Sequence, residues 1–389
     1  MDKRTYTPIV ILVVLAVALG CNLPGNIAPP SATPKNGSVS DSHVPVDPIA
    51  TQQPGPLAQA DSSQGTVTST LAPKVQAGTA TATEVVFEVG NEITMPYLRD
   101  LEISGSQITF EEELPNTFFY QQHLVSYISE GNKIHGLLTI PNAEPPENGF
   151  KAIIFNHGYI PPTAYQTTER YVAYVDYLAR NSFVVFKIDY RGHGRSEGEP
   201  TGSYFSPGYT IDSIAALKSL QTLDFVDPQG IGMWGHSMAG NLVLRAMLIE
   251  PDIQAGVIWA GAVYSYDDLM AYGIDDDTFR PVATPEGSDR ARRSQQIYDV
   301  YGRPDSRNVY WKAVSLTENI DFLSRPLQLH HAQDDPVVSI RYSEDLAAEL
   351  LANGKEYEFH LYEAGGHNLF SPYFDQAMLR TVNFFRDEL

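Results

Sequence analysis

The sequence predicts an α/β fold, with a mostly parallel central sheet and helices on both faces, entered through antiparallel strands. Three observations carry this. Short unbroken apolar runs recur: KAIIFNHG, FVVFKIDYRG, IGMWGHS, AGVIWAG and PLQLHHA. A strand without polar alternation is covered on both faces. Helical stretches separate the runs, as in TERYVAYVDYLARN, YTIDSIAALKSLQTL and MAGNLVLRAMLIE. Strand and helix in alternation make a parallel sheet. Ahead of them, FEVGNEITM, LEISGSQITF and HLVSYISEGNKIHGLLTI alternate apolar with polar residues, with a turn signal at Gly131-Asn132. These predict antiparallel strands and a hairpin.

The N-terminal region has another character. Lys3 and Arg4 precede an apolar run from Ile9 to Leu19, then Ala18-Leu19-Gly20-Cys21. The run is too short for a spanning helix, which needs about 20 residues. Cys21 is the only cysteine, so no intrachain disulfide forms. The pattern resembles a bacterial lipoprotein signal over residues 1–21. That resemblance implies lipidation of Cys21 and an extracytoplasmic, membrane-anchored location. Ala18 departs from the leucine usual three residues before the cysteine. An ordinary signal peptide, or a buried helix with a stray thiol, is the alternative. Residues 22–84 follow without an aromatic and rich in Pro, Ser, Thr and Ala. Such a segment cannot bury enough apolar area to offset its ordering entropy, so it reads as a disordered tether. The folded domain is expected over 85–389.

The chain carries 47 acidic against 26 basic residues, a formal net charge of -21. An acidic surface repels phosphate backbones, which excludes nucleic acid as a partner. Between residues 262 and 326 the pattern loosens into helical pieces with long joins, a lid-like insertion. Its Asp275-Asp276-Asp277 lacks the spaced ligands and glycine of a calcium loop and reads as solvated surface.

The strand IGMW runs into Gly235-His236-Ser237-Met238-Ala239-Gly240, and the helix NLVLRAMLIE follows. This strand–turn–helix context is what a nucleophile elbow needs, although Ala239 stands where G-x-S-x-G has its second glycine. The extra methyl predicts a slightly wider gap between helix and strand. A serine hydroxyl needs a base, and the base an orienting acid. His367, in LYEAGGHNLF, follows a strand and two glycines. Asp334 or Asp335, in PLQLHHAQDDPVVSI, supplies the acid. A metal cluster of His330, His331 and these aspartates is disfavoured, because adjacent residues on a strand face opposite sides.

The order Ser237, aspartate, His367 resembles that of the α/β-hydrolase family. The likeness runs from about Tyr120 to the C-terminus, nearest the esterase and prolyl-oligopeptidase-like branch. It rests on KAIIFNHGY, DYRGHGRSEG, GMWGHSMAG, HAQDDPVVS and GGHNLF. The family's acid motif, H-G, two variable residues, then D-x-x-V-P, fits His331 to Ser339 without a gap, and puts Asp335 at the catalytic position. The same carry-over implies an oxyanion hole from the backbone N–H groups of Tyr159 and Met238, with the Tyr159 ring walling the acyl pocket. It implies that Asp189, Arg191 and His193 are structural. The expected function is hydrolysis of carboxylic esters through an acyl-enzyme, without metal or organic cofactor, on a small-molecule ester or short peptide. Large prolyl-oligopeptidase relatives add a propeller, and the extra material here is a tether, a lead-in and a lid, which tilts the expectation toward an esterase. A serine peptidase is the alternative. A non-catalytic binding module on the same fold is the alternative of another class, and it predicts a broken triad.

Overall fold

The computed structural model describes residues 86–275 and 289–389, which belong to one compact unit. Cys21, the 22–84 segment, Asp276 and Asp277 lie outside the described residues. In chain order the helices and strands are α1 (Met95–Asp100), β1 (Thr109–Leu114), β2 (Tyr120–Ser129), β3 (Asn132–Pro141), β4 (Phe150–Asn156), α2 (Val172–Arg180), β5 (Val184–Ile188), α3 (Gly208–Leu220), β6 (Val226–His236), α4 (Met238–Ile249), β7 (Gly256–Trp259), α5 (Tyr266–Tyr272), α6 (Asp289–Tyr301), α7 (Val309–Val314), β8 (Leu327–Ala332), α8 (Arg341–Ala352), β9 (Tyr357–Tyr362) and α9 (Tyr373–Glu388).

The described strands form one sheet in the order β1-β2-β3-β5-β4-β6-β7-β8-β9. Its first three pairings are antiparallel, and every pairing from β5 onward is parallel. The pleat explains the unbroken apolar runs. In β4, Ala152 and Ile154 join a core with Ile214 of α3 and Leu242 of α4. Ile153 and Phe155 face the other way, into a core with Leu178 of α2 and Phe385 of α9. The chain leaves β4 toward β5 on one side and leaves β6 toward β7 on the other. Ligand crevices in open α/β sheets form at such a switch point, outside the carboxyl ends of the strands.

The lead-in differs from expectation. FEVGNEITM is not a strand: a short 3-10 turn over Asn91–Ile93 leads into helix α1. Thr94 caps that helix by accepting from the Tyr97 N–H, and Pro96 sits in its first turn. A threonine cap with an early proline is a helix start, and it overrode the alternation. Most of LEISGSQITF is also outside the sheet, which it joins only at Thr109. Ser106 instead ties this segment down, its N–H donating to Ser219 Oγ and its Oγ accepting from the Ile128 N–H. The β2–β3 hairpin forms, but its turn is one residue earlier than the Gly131-Asn132 signal. Glu130 and Gly131 take φ of 47° and 80°, the left-handed pair of a two-residue hairpin turn.

In the 262–326 stretch, α5, α6 and α7 pack against the body of the domain. The Tyr301 hydroxyl accepts from the Val89 N–H, and the Tyr310 hydroxyl donates to the Gly90 carbonyl. Among the described residues no helix is long and apolar enough to cross a membrane.

Candidate active site

Ser237 sits between β6 and α4 with φ 57° and ψ -120°, a left-handed φ that a residue with a Cβ rarely adopts. Its N–H donates to the Trp259 carbonyl, which anchors the turn to β7. The packing demands small neighbours. A Cβ on Gly235 would lie 2.7 Å from the Ala239 carbonyl oxygen, and one on Gly240 2.6 Å from the Gly261 Cα. Helix and strand therefore meet closely despite the Ala239 methyl, and the expected wider gap is absent. Met238 opens α4, so its N–H belongs to the first turn, where backbone donors lack helical partners and the helix dipole is positive.

Asp335 and His367 come together from the loops after β8 and β9. Asp335 Oδ2 lies 2.8 Å from His367 Nδ1, and its Oδ1 accepts from the N–H groups of Val337 and Val338 at 2.8 and 3.0 Å. The carboxylate can only accept, so the proton is on Nδ1 and the Nε2 lone pair of neutral His367 is open to chemistry. Burial pushes the Asp335 carboxyl up, but His331, His367 and the Val338 N–H outweigh it and hold it well below the ordinary carboxylate range. Asp334 is placed differently: its Oδ1 accepts from the Gly366 N–H at 2.8 Å, steadying the turn before His367.

Ser237 and His367 line one cavity of about 250 Å³, together with Tyr159, Ile160, Tyr171, Tyr174 and Phe370. Arg170 stands at the same cavity. Tyr159 follows β4 in the loop His157-Gly158-Tyr159, so its position at the wall of the pocket is as expected. None of the described residues between 262 and 326 lines this cavity.

Neighbouring groups hold the loops. The Tyr190 hydroxyl donates to the His157 carbonyl, and His193 Nε2 lies 3.2 Å from the Ile160 carbonyl. Arg191 forks onto Asp212 and reaches Glu130. Asp189 accepts from the Tyr165 and Thr167 hydroxyls. The DYRGHG loop thus braces the loop from His157 to Ile160.

The roles of His331, His236 and Tyr171 escaped sequence reasoning. His331 Nε2 lies 3.0 Å from the Val338 carbonyl and 3.2 Å from Asp335 Oδ2, and its Nδ1 lies 2.7 Å from Ser343 Oγ. It buttresses the acid, and its place four residues before Asp335 was the available signal. His330 faces the other side of β8, bonded to Tyr362 and Gln328. The His236 ring packs against His367 at a tilt of 48°, with ring centroids 4.5 Å apart, and Tyr171 bonds to His236. No local pattern marks Tyr171, which is 65 residues away.

The sheet order, the helices on both faces and the elbow after β6 define the α/β-hydrolase fold. Residues 149–282 match the family model described as serine aminopeptidase, S33. Human protein ABHD12B is 24% identical over 210 residues, 51% of this chain and 49% of that protein. Among solved structures, acetyl xylan esterase 1 from Thermoanaerobacterium sp. JW/SL YS485 superposes with a TM-score of 0.54 at 15% identity, over 76% of this chain and 92% of that one. Dipeptidyl peptidase 4 from Porphyromonas gingivalis gives 0.54 at 19% identity, over 70% of this chain and 36% of that one. The chain spans about half or less of the length of the curated relatives it matches.

Proposed function

We propose that the protein is a serine hydrolase that cleaves carboxylic esters through a covalent acyl-enzyme. The observation that carries this reading is the part-buried Asp335–His367 pair, 2.8 Å apart, whose histidine lines the same cavity as Ser237 on its strained elbow. Ser237 Oγ attacks the acyl carbonyl while His367 Nε2 takes its proton. Asp335 holds the imidazole by its Nδ1–H and stabilises the cation formed. The backbone N–H groups of Tyr159 and Met238 receive the developing oxyanion, in a site where fixed dipoles need not reorganise. His367 then returns the proton to the leaving alcohol, and water repeats the sequence to release the acid.

The pocket lining supports an ester over a peptide. Tyr159, Ile160, Tyr171, Tyr174 and Phe370 offer apolar and aromatic surface, and Arg170 adds positive charge. This suits an acyl group better than the ammonium of a peptide N-terminus, which wants carboxylates. A serine peptidase acting on short peptides is the second reading, favoured by the family model's description and by the likeness to a dipeptidyl peptidase. One experiment separates these. Wild-type protein should label with a fluorophosphonate, Ser237→Ala should not, and aryl esters should be turned over faster than aminoacyl amides. In comparable triads loss of the nucleophile lowers kcat by about 10⁶. Labelling that persists in Ser237→Ala sinks the assignment of the nucleophile. A preference for amides sinks the ester reading, and a wild type that does not label leaves a binding module.

We further propose that a lipidated Cys21 holds the enzyme at the outer face of a membrane, with residues 22–84 as tether. The support is the charge, apolar run and lone cysteine of the first 21 residues. Cys21→Ser should move the protein from the membrane to the soluble fraction. Unchanged membrane association would count against lipidation.

A further inference from the structure

We propose that Tyr171 and His236 form a strut fixing the loop that carries Tyr159 relative to the loop that carries His367, and that both are positioning residues for the reaction at Ser237. The proposal rests on the serine hydrolase reading above.

The hydrogen-bond chain has one consistent direction. His236 Nε2 lies 2.8 Å from the His367 carbonyl, and a carbonyl only accepts, so Nε2 carries the proton. Nδ1 is then a lone pair, and it accepts from the Tyr171 hydroxyl at 2.8 Å. The Tyr171 oxygen in turn accepts from the Gly158 N–H at 2.9 Å. Three bonds thus run from the residue before Tyr159, through Tyr171 and His236, to the backbone of His367. The two ends belong to loops after β4 and β9, which are not neighbours in the sheet. The strut runs through His236, the residue before Ser237 in the chain. Burial, with the His367 ring alongside, lowers the His236 pKa to about 3, so the ring stays neutral and the chain keeps its direction near neutral pH.

Two further features are organised around this pair. The first is the glycine at 158. A Cβ there would lie 2.7 Å from the Tyr171 hydroxyl and 3.3 Å from His236 Nδ1, so the strut occupies the space a side chain would need. The second is the turn that delivers Tyr171. Arg170 and Tyr171 take φ of 53° and 52°, two successive left-handed residues that both carry a Cβ. Lys187, buried in β5, clamps this turn by donating its ammonium to the carbonyls of Glu169 and Arg170 at 2.9 and 3.3 Å. A strained backbone persists where its surroundings over-determine it, and here it aims one hydroxyl between two active-site loops. Tyr174, one helical turn on, adds a parallel tie from its hydroxyl to the Asn368 carbonyl at 3.0 Å.

The test compares wild type with Tyr171→Phe, His236→Ala and His236→Gln in fluorophosphonate labelling rate and in kcat and KM for an aryl ester. Glutamine can set its amide N–H near the Nε2 position and keep the bond to His367. We expect Tyr171→Phe and His236→Ala to lose about 10- to 100-fold in labelling rate and kcat, the scale of a sub-ångström to 1 Å misplacement. KM should change little, and His236→Gln should recover part of the His236→Ala loss. Folded variants within twofold of wild type in both rates overturn the strut, as does a loss confined to thermal stability. Wild type that does not label overturns the hydrolase reading and this proposal together, whereas labelling by wild type and variants alike overturns the strut alone. Histidine ¹⁵N NMR of the wild type supplies a measurement independent of variant folding: His236 as the Nε2–H tautomer supports the chain, and the Nδ1–H tautomer overturns it.

Discussion

Asp334 and Asp335 are adjacent carboxylates with separate tasks. Asp335 Oδ2 meets His367 Nδ1 and His331 Nε2, while Asp334 accepts a single backbone N–H from Gly366 in a more exposed position. An amide at 335 can turn an NH₂ toward His367 Nδ1, which would then accept, leaving the proton on Nε2 where the base must have none. Asp335→Asn should therefore lower kcat by about 10⁴, the scale known for the wrong tautomer in a triad. Asp334→Asn keeps an acceptor oxygen for Gly366 and should cost less than about tenfold, since only a loop tie is perturbed. Burst and steady-state kinetics of the two variants check this, and equal losses would mean that the acid is misassigned. The register of the motif from His331 to Ser339 favoured Asp335, the carboxylate that meets His367. The work of His331 on Asp335 was not legible in the sequence, because a histidine that buttresses an acid looks like any buried histidine until its neighbours are known.

At the scale of elements, legibility followed burial. β4 to β8 were readable because both faces of each strand meet a core, which leaves an unbroken apolar run with no other explanation. The elbow was readable because strand, small residues and helix follow each other without a gap. The lead-in was misread where local chemistry opposed the pattern: Thr94 and Pro96 start a helix inside an alternating stretch. Ala239 was misread in the other direction. The close approach is made at Gly235 and at Gly240, whose absent side chains face Ala239 and Gly261 respectively. Position 239 itself is fully buried without forcing helix and strand apart. The requirement for glycine has thus moved along the helix by one residue. Gly240 is the residue that meets Gly261, in the segment just after β7. The pairing of Tyr171 with His236 had no signature at this scale, since it joins an element start to a strand end across the sheet.

For the molecule as a whole, the buried histidines determine how it responds to acid. His157, His236 and His330 are fully buried, and burial lowers all three, His236 to about 3 and the others well below their ordinary value. An unfolded histidine titrates near 6.5. The folded-state pKa is thus depressed, so the contribution of each ring is complete above about pH 6.5 and is lost as pH falls from there toward the folded value. Each such ring gives a slope of about 1.4 kcal/mol per pH unit in that window. Asp189 acts with the opposite sign. Burial raises it to about 6, against its Tyr165 and Thr167 bonds, so below that pH the folded state binds its proton first and recovers part of the loss. Lys187, lowered to about 8 by burial, changes stability only above that pH. The net charge of -21 leaves this argument intact down to about pH 5, because ordinary carboxylates titrate near 4. Urea unfolding should therefore show stability falling by several kcal/mol between pH 6.5 and 5. His330→Asn removes one such ring outside the catalytic cavity, and should flatten the slope by about one proton even though it lowers stability at pH 8. A stability flat from pH 8 to 5, or a slope unchanged in His330→Asn, would mean that these rings take up protons in the folded state and are less enclosed than their packing requires.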